Sequence, residues 1–178
     1  PGRIKFHFQF DSIQNPRLWS PEDPYLYTLE LLIHSDGMVR DRMTTEFGLR
    51  YFSFHPENGF SLNGEPYRIR GTNRHQDHQA FGSALSNEMH EADLKNIKEM
   101  GCNFVRLAHY PQDPAVLTIA DKIGLLVWEE IPLVNYITVK DEFQESCLRM
   151  LKEMIRQHYN HPSVIIWGSM NEILLWSE

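Results

Sequence analysis

Residues 161–172 read HPSVIIWGSMNE, and this stretch carries the strongest information about the fold. A continuous apolar run at 164–167 follows Pro162 and leads to an amide and an acid, Asn171 and Glu172. An apolar run without polar alternation indicates a strand covered on both faces, as in a parallel sheet packed by its own helices. Ligands of α/β proteins bind at the carboxyl ends of such strands. The stretch therefore predicts a buried parallel strand that delivers Asn171 and Glu172 to a binding site.

Two more apolar runs of the same kind precede it, at 104–108 and 125–128. Three helical patterns, each followed by one of the runs, lie at about 87 to 100, 114 to 123 and about 141 to 159. Each pattern is bounded by residues that start or stop helices, such as serine or aspartate before the first turn and glycine or proline after the last. Alternation of strand and helix predicts repeated βα units around a parallel sheet.

Four candidate strands, a short one that ends near Arg70 and the three apolar runs, lead to ionisable or amide groups. These groups are Asn73, Arg74 and His75 after the first, Arg106 and His109 after the second, Glu129 and Glu130 after the third, and Asn171 and Glu172 after the fourth. A doubly wound sheet concentrates its site at one switch point, whereas a (β/α)8 barrel uses many strand ends, so the pattern favours a barrel. A complete barrel needs about 250 residues. The predicted fold class is therefore α/β, the first half of a TIM barrel, within a chain expected to be a piece of a longer protein.

The first 50 residues have the two-residue period of half-buried strands. Apolar residues alternate at 4–10 and again at 27–33, and a Ser-Asp-Gly turn at 35–37 leads to a returning strand at 39–47. This region predicts the end of a β-sandwich. A small hairpin is expected at 60–69 around an Asn-Gly turn. We place the domain boundaries at 1–50 for the sandwich and 51–178 for the half-barrel.

Composition narrows the possible partners. The chain has 178 residues and a formal net charge of −7, which argues against nucleic acid and anionic membrane surfaces because both favour clustered lysine and arginine. No apolar run approaches the roughly 18 residues that a membrane span needs. The two cysteines, Cys102 and Cys147, are expected to be buried apolar residues rather than a disulfide or a zinc site. A neutral small-molecule partner fits these features best.

The predicted site combines carboxyl, amide, imidazole and guanidinium groups. Such a set suits a polyhydroxylated neutral ligand, which convergent hydrogen-bonding groups can orient. Cleavage of a glycoside needs one carboxylic acid to protonate the leaving oxygen and, if configuration is retained, a second carboxylate about 5–5.5 Å away. Glu172 is the candidate acid, because the apolar strand before it is expected to raise the pKa of its carboxyl by desolvation. Asn171 is placed to hold a ring hydroxyl.

Four segments together resemble glycoside hydrolase family 2, which contains β-galactosidases, β-glucuronidases and β-mannosidases. They are GTNRHQDH at 71–78, NFVRLAHYPQ at 103–112, GLLVWEEIP at 124–132 and the opening stretch at 161–172. LWSPEDPYLYTLEL at 18–31 is similar to the immunoglobulin-like sandwich that precedes the barrel in that family. The resemblance implies a retaining β-glycosidase. RHQDH and HYPQDP resemble the β-galactosidase branch most, with β-glucuronidase and β-mannosidase as alternatives.

The resemblance also implies roles for individual residues. Glu172 matches the general acid/base, and Asn171 matches the asparagine that binds the sugar 2-hydroxyl. His75 and His109 match histidines that line the sugar subsite, and Arg106 matches the arginine that braces the nucleophilic carboxylate. The family's nucleophile is a glutamate near the end of the seventh strand, beyond residue 178. The 178-residue piece alone is therefore expected to be inactive.

Three further residues are expected to contact substrate. Asn73 follows the first strand, Glu129 is expected in the site wall, and Trp176 is expected to offer a ring face to a sugar. Some β-galactosidases of the family bind Mg²⁺ through a glutamate and a histidine after the third strand, but EEIPLVNY at 129–136 has no histidine. No metal or other cofactor is therefore predicted. The expected partner is a glycoside or oligosaccharide, and a homo-oligomer of the full-length protein stays open.

Other interpretations remain. Glu172 could face solvent at a strand end, and Trp128 and Trp167 are better read as core residues than as sugar platforms. A carbohydrate-binding protein on the same scaffold would share these motifs without hydrolysis, since a fold alone does not establish activity. A glutamate at a later strand end, beyond residue 178, would distinguish the enzyme. A serine hydrolase is disfavoured because no G-x-S-x-G motif is present.

Overall fold

The computed structural model describes Gln9 and residues 12–174. The strand predicted at 4–10 lies outside this range except for Gln9. Along the described part the elements are β1 (Tyr27–Ser35), β2 (Met38–Phe47), β3 (Phe52–His55), β4 (Gly59–Leu62), β5 (Glu65–Pro66), β6 (Gly71–Arg74), α1 (Asn87–Glu99), β7 (Phe104–Leu107), α2 (Pro114–Ile123), β8 (Leu126–Glu130), α3 (Asp141–His158) and β9 (Val164–Gly168). No helix in this part is both long enough and apolar enough to cross a bilayer.

The hairpin predicted within the first 50 residues is confirmed. β1 and β2 pair antiparallel from Tyr27 opposite Phe47 to Ser35 opposite Met38. The rings of Tyr27 and Phe47 stack across the pair, with centroids 5.7 Å apart. Asp36 has a positive φ of 53°, and Gly37 has one of 74°. These two angles give the backbone twist that a two-residue hairpin turn requires.

A second, three-stranded sheet joins this hairpin to the barrel strands. β3 pairs with β4, and β4 pairs with the two-residue strand β5 across the predicted Asn63-Gly64 turn. The sequence prediction missed β3, because the turn residues at 55–59 look like a linker. The returning strand of the hairpin was predicted at 67–69, whereas β5 covers Glu65–Pro66, directly after the turn.

The four remaining strands form one parallel sheet in the order β6-β7-β8-β9. Neighbours in space are neighbours in sequence, and a helix connects β7 to each adjacent strand and β8 to β9. A doubly wound sheet would reverse its strand order partway, so the continuous order identifies an arc of a barrel. The predicted half of a TIM barrel is therefore confirmed.

The helices begin and end where the sequence predicts. At the start of α1 the Ser86 side chain accepts a hydrogen bond from the backbone N–H of Met89. At the start of α2 the Asp113 side chain accepts one from the backbone N–H of Ala115. Gly124 ends α2 with a positive φ of 74°, a left-handed conformation that glycine adopts at little cost. The apolar spacing predicts that α1 buries Met89, Ala92, Ile97 and Met100, but the observed buried face is different. It consists of His90, Leu94 and Ile97, whereas Met100 is exposed.

Apolar side chains form two clusters. The larger lies between the parallel sheet and the helices α1 and α2, and contains Leu94, Ile97, Val105, Leu107, Val116, Leu117, Ala120, Leu125, Val127 and Val164. The smaller lies near the amino ends of β8 and β9, where Leu126 and Ile165 pack with Trp19, Phe60 and Leu62. Trp19 is fully buried, and its indole Nε1 donates to the Asp121 carbonyl at 2.8 Å. The proline-rich connector before β1 thus supplies a core residue to the barrel.

Candidate active site

The centre of the candidate site is an ion pair between Arg106 of β7 and Glu130 of β8. Arg106 Nε lies 3.0 Å from Glu130 Oε2, and Nη2 lies 3.0 Å from Oε1 and 2.9 Å from Oε2. The Glu130 side chain is fully buried, and 20% of the Arg106 side chain is exposed. Two parallel N–H···O contacts from one guanidinium hold a carboxylate in a defined plane, which is the strongest geometry for such a pair.

Arg106 also connects Glu130 to Asn171. Its Nη2 donates to Asn171 Oδ1 at 2.9 Å, and its guanidinium lies over the Trp128 ring, 4.6 Å from the centroid. Asn171 is buried, and its backbone N–H donates to the Leu133 carbonyl at 2.8 Å. The loop after β8 therefore fixes the Asn171 backbone while Arg106 fixes its side chain. Because Oδ1 accepts from Arg106, the Nδ2 amide is left as a donor.

Two histidines stand beside the ion pair. His109 Nδ1 lies 2.7 Å from Glu130 Oε1. The His75 ring packs edge-on against the His109 ring, with centroids 5.1 Å apart, and lies 6.2 Å from the Tyr110 ring. The Gln76 amide donates to the Tyr110 hydroxyl at 3.1 Å and thereby ties the ends of β6 and β7 together. The structure thus brings His75, His109 and Arg106 into one cluster.

The prediction that Glu129 lines the substrate site is wrong. Glu129 is fully buried on the opposite face of β8, where both carboxylate oxygens lie 2.9 Å from His158 Nδ1 on α3. Successive residues of a strand face opposite sides of the sheet. Glu130 therefore faces the interior of the arc, and Glu129 faces the helices. Glu130 was predicted at the end of the third strand without a role in the site, although it lies two residues after Trp128, on the same face.

Glu172 is reached four residues after β9 ends. Its backbone has a positive φ of 48°, and the residue is exposed. The expected drying of its carboxyl by the preceding apolar strand is therefore not provided by the described residues, because the chain leaves the strand at Gly168 before reaching Glu172. Asn171, directly before it, is buried in the Arg106 cluster. Glu172 is thus attached to the cluster through the backbone of its neighbour.

Two other predicted contacts have different outcomes. Asn73 is the register partner of Arg106 in the β6–β7 pair, so its side chain shares the interior face, where it is exposed. Trp176 lies outside the described residues, and its predicted role as a sugar platform stays a prediction.

The donor set does not fit the Mg²⁺ site of some β-galactosidases. Glu130 already uses both oxygens for Arg106 and His109. Residues 131–136 add no acid or histidine. Within Gln9 and 12–174, no group of three or more histidine, cysteine or acidic side chains is arranged to hold a metal ion. The cluster offers hydrogen-bond donors and acceptors suited to hydroxyl groups.

Comparison with family models gives two matches that cover most of the chain. The model described as glycosyl hydrolases family 2, TIM barrel domain, matches residues 56–176. The model described as glycosyl hydrolases family 2 matches residues 4–50. Both parts of the chain therefore match models of one family.

Relatives of this chain carry two different names. A β-glucuronidase of Bacteroides fragilis is 43% identical over 90% of this chain, and a β-galactosidase of Thermoanaerobacter pseudethanolicus is 38% identical over 91% of it. The crystal structure of a β-glucuronidase of Bacteroides uniformis superposes with a TM-score of 0.85, at 49% identity over 90% of this chain. The chain covers 24%, 22% and 19% of these three proteins, respectively. It therefore spans about a fifth to a quarter of their length.

Proposed function

The chain belongs to glycosyl hydrolases family 2, and from this membership we propose that the full-length protein hydrolyses terminal β-glycosidic bonds with retention of configuration. The observation that carries the proposal is the contact between Arg106 and Asn171, at 2.9 Å, directly before Glu172 at the carboxyl end of β9. It joins groups from two strand ends into one mouth, where a barrel enzyme binds its substrate.

In the proposed reaction Glu172 is the general acid/base. It protonates the glycosidic oxygen while a glutamate beyond residue 178 attacks the anomeric carbon, and it then deprotonates the water that releases the sugar. Asn171 donates its Nδ2 hydrogen to a ring hydroxyl beside the bond that breaks. Arg106 Nη1 has no hydrogen-bond partner among the described residues, and it is the guanidinium nitrogen assigned to the nucleophilic carboxylate.

The exposure of Glu172 has a direct consequence for this mechanism. A general acid near neutral pH must hold its proton, and an exposed carboxyl does so poorly. In the full-length protein, bound substrate and the remaining barrel strands must therefore exclude water from the Glu172 carboxyl. The single carboxylate at this strand end cannot perform a double displacement alone, so the isolated 178-residue chain is proposed to be inactive.

The names of the relatives also bear on which sugar the full-length protein releases. Relatives called β-glucuronidase reach 49% and 43% identity, above the 38% of the relative called β-galactosidase. These values favour β-glucuronides over β-galactosides, against the preference drawn from RHQDH and HYPQDP. Assay of the full-length protein against aryl β-glucuronides, β-galactosides and β-mannosides decides among them by kcat/KM.

The experiment for the mechanism is Glu172→Gln in the full-length protein. Loss of the acid should lower kcat by orders of magnitude for substrates with poor leaving groups and much less for activated aryl groups, which leave without protonation. Glu153→Gln, at an exposed position on α3, is the matched control and should change neither. Equal loss for both classes of leaving group would remove Glu172 from the acid role. Binding of glycosides by the wild-type protein without turnover would favour the carbohydrate-binding alternative.

A further inference from the structure

Glu130 is a buried carboxylate that contacts three polar side chains of the site directly or through Arg106, yet it is not the acid/base. We propose that Glu130 is a positioning residue that fixes the proton of His109 on Nδ1, so that Nε2 accepts a hydrogen bond from one substrate hydroxyl. This inference rests on the proposed function. It adds a determinant of which hydroxyl pattern the site accepts.

The contacts with Arg106 hold Glu130 in its ionised form. Arg106 donates to it from Nε and from Nη2, at 2.9–3.0 Å. Arginine stays protonated in proteins, and such a fork binds the ionised carboxylate. An ionised carboxylate only accepts hydrogen bonds. The 2.7 Å contact between Glu130 Oε1 and His109 Nδ1 therefore requires a proton on Nδ1.

The other ring nitrogen of His109, Nε2, is the one left to face substrate. A neutral imidazole carries one proton, so a proton on Nδ1 leaves Nε2 as an acceptor. Nδ1 lies against a carboxylate that is fully buried, yet 23% of the His109 side chain is exposed. The ring edge that carries Nε2 is therefore the one left for substrate. A sugar hydroxyl can donate to it.

Glu130 also acts on the side chain of Asn171, through Arg106. Glu130 holds the plane of the Arg106 guanidinium, and Arg106 Nη2 in turn donates to Asn171 Oδ1 at 2.9 Å. That contact leaves Asn171 Nδ2 as a donor. Glu130 thus sets an acceptor at His109 and a donor at Asn171. A glutamine at position 130 would keep the shape of the side chain but would turn an N–H₂ group toward Arg106 or His109, both of which are donors. The proton position on His109 and the orientation of Asn171 would then no longer be fixed.

The test uses full-length wild-type protein and its Glu130→Gln variant with an aryl β-glycoside and a panel of monodeoxy analogues. Wild type should lose at least about tenfold in kcat/KM for the analogue that lacks the hydroxyl donating to His109, because a buried polar group is left unpaired. Glu130→Gln should lower kcat/KM for the parent substrate and reduce this discrimination to within about threefold. Glu129→Gln is the matched control, since Glu129 is equally buried on the same strand but, among the described residues, forms its side-chain hydrogen bonds with His158 instead of the site. It should keep the wild-type discrimination.

A second variant covers the case in which Glu130→Gln fails to fold, as judged by circular dichroism. His109→Asn keeps a donor near the Nδ1 position but removes Nε2, so it should lose the same discrimination. Unchanged discrimination in a folded Glu130→Gln or in His109→Asn would overturn the inference. In that case parent activity in wild type would leave the proposed hydrolysis intact, whereas inactivity of wild type on every glycoside would overturn both.

Discussion

Glu129 and Glu130 are consecutive residues of β8, and their fully buried carboxylates lie on opposite faces of the sheet. Glu130 meets Arg106 and His109 inside the barrel arc, and Glu129 meets His158 on α3. One strand thus carries one acid for the site and one for the packing of a helix. Burial of a charge is costly unless a partner compensates it. Each acid therefore depends on its own partner, and the two can be tested separately.

Glu129→Gln in the full-length protein should lower stability without changing substrate selectivity. The amide keeps one hydrogen bond to His158 but loses the charge-assisted contact, which is worth about 1–3 kcal/mol. Urea unfolding followed by circular dichroism measures the loss. A decrease in kcat/KM as large as that of Glu130→Gln would contradict the assignment of Glu129 to packing.

Gly168→Ala should damage the site through sterics. A Cβ on Gly168 would lie 2.6 Å from the Glu130 Cβ and would also clash with Trp128 Nε1. Relief of such overpacking costs about 1–3 kcal/mol and moves the neighbours, so both stability and kcat/KM should fall. Gly37→Ala is the control, because its strain comes from a φ of 74° and nothing lies within 4 Å of the added carbon. Equal loss of kcat/KM in the two variants would show that crowding at Gly168 does not disturb the site.

Trp19→Ala should destabilise the barrel although Trp19 precedes every described strand. The fully buried indole packs with Phe60, Leu62, Leu126 and Ile165. Truncation of a buried tryptophan costs about 3–5 kcal/mol. Trp19→Phe keeps most of the packing but loses the hydrogen bond to the Asp121 carbonyl, so this variant should lose only about 1 kcal/mol of stability. Thermal unfolding of the full-length protein distinguishes the two, and a Trp19→Ala protein as stable as Trp19→Phe would refute the role in the core.

Much of the half-barrel could be predicted from sequence because its signals are local. Apolar runs marked β7, β8 and β9, and Ser86, Asp113 and Gly124 marked helix ends. The direction of each side chain could not be read in the same way. A strand buried on both faces has no polar alternation, and the β8–β9 register also shifts between Val127 and Trp128. The sequence alone therefore does not show whether Glu129 or Glu130 faces the site, and the three-dimensional structure decides it.

Contacts between residues far apart in sequence could not be predicted either. The connector around Trp19 is rich in proline and charge, which is typical of a surface linker, yet it inserts a buried indole beside β8 and β9. The environment of Glu172 also depends on parts distant in sequence. The apolar strand ends at Gly168, four residues before Glu172, and the described residues leave Glu172 exposed, so its desolvation stays a prediction for the full-length protein.

His90 should make stability sensitive to acid. It is fully buried on α1, with Nδ1 3.0 Å from Arg74 Nη2. Burial, followed by the nearby Arg74 charge, lowers the pKa of His90 below 6.5 in the folded state. The unfolded chain therefore binds more protons below about pH 6.5, and stability falls as pH decreases from there through the folded-state pKa. His90→Gln should flatten this dependence below about pH 6.5, whereas the exposed His34→Gln should not. Parallel pH profiles of wild type and His90→Gln would contradict the prediction.

The isolated 178-residue chain should self-associate. β6 and β9 are the outer strands of the parallel sheet, so within the described residues each has one edge of backbone N–H and C=O groups without a strand partner. Open edges pair with other chains unless charge or a cover blocks them. Sedimentation velocity should therefore show dimers or larger species. Asn73→Lys places a charge on β6 and should reduce association, while Gln144→Lys adds the same charge on an exposed part of α3 and should not. A monodisperse monomer in the unmodified chain would show that the edges are protected in another way.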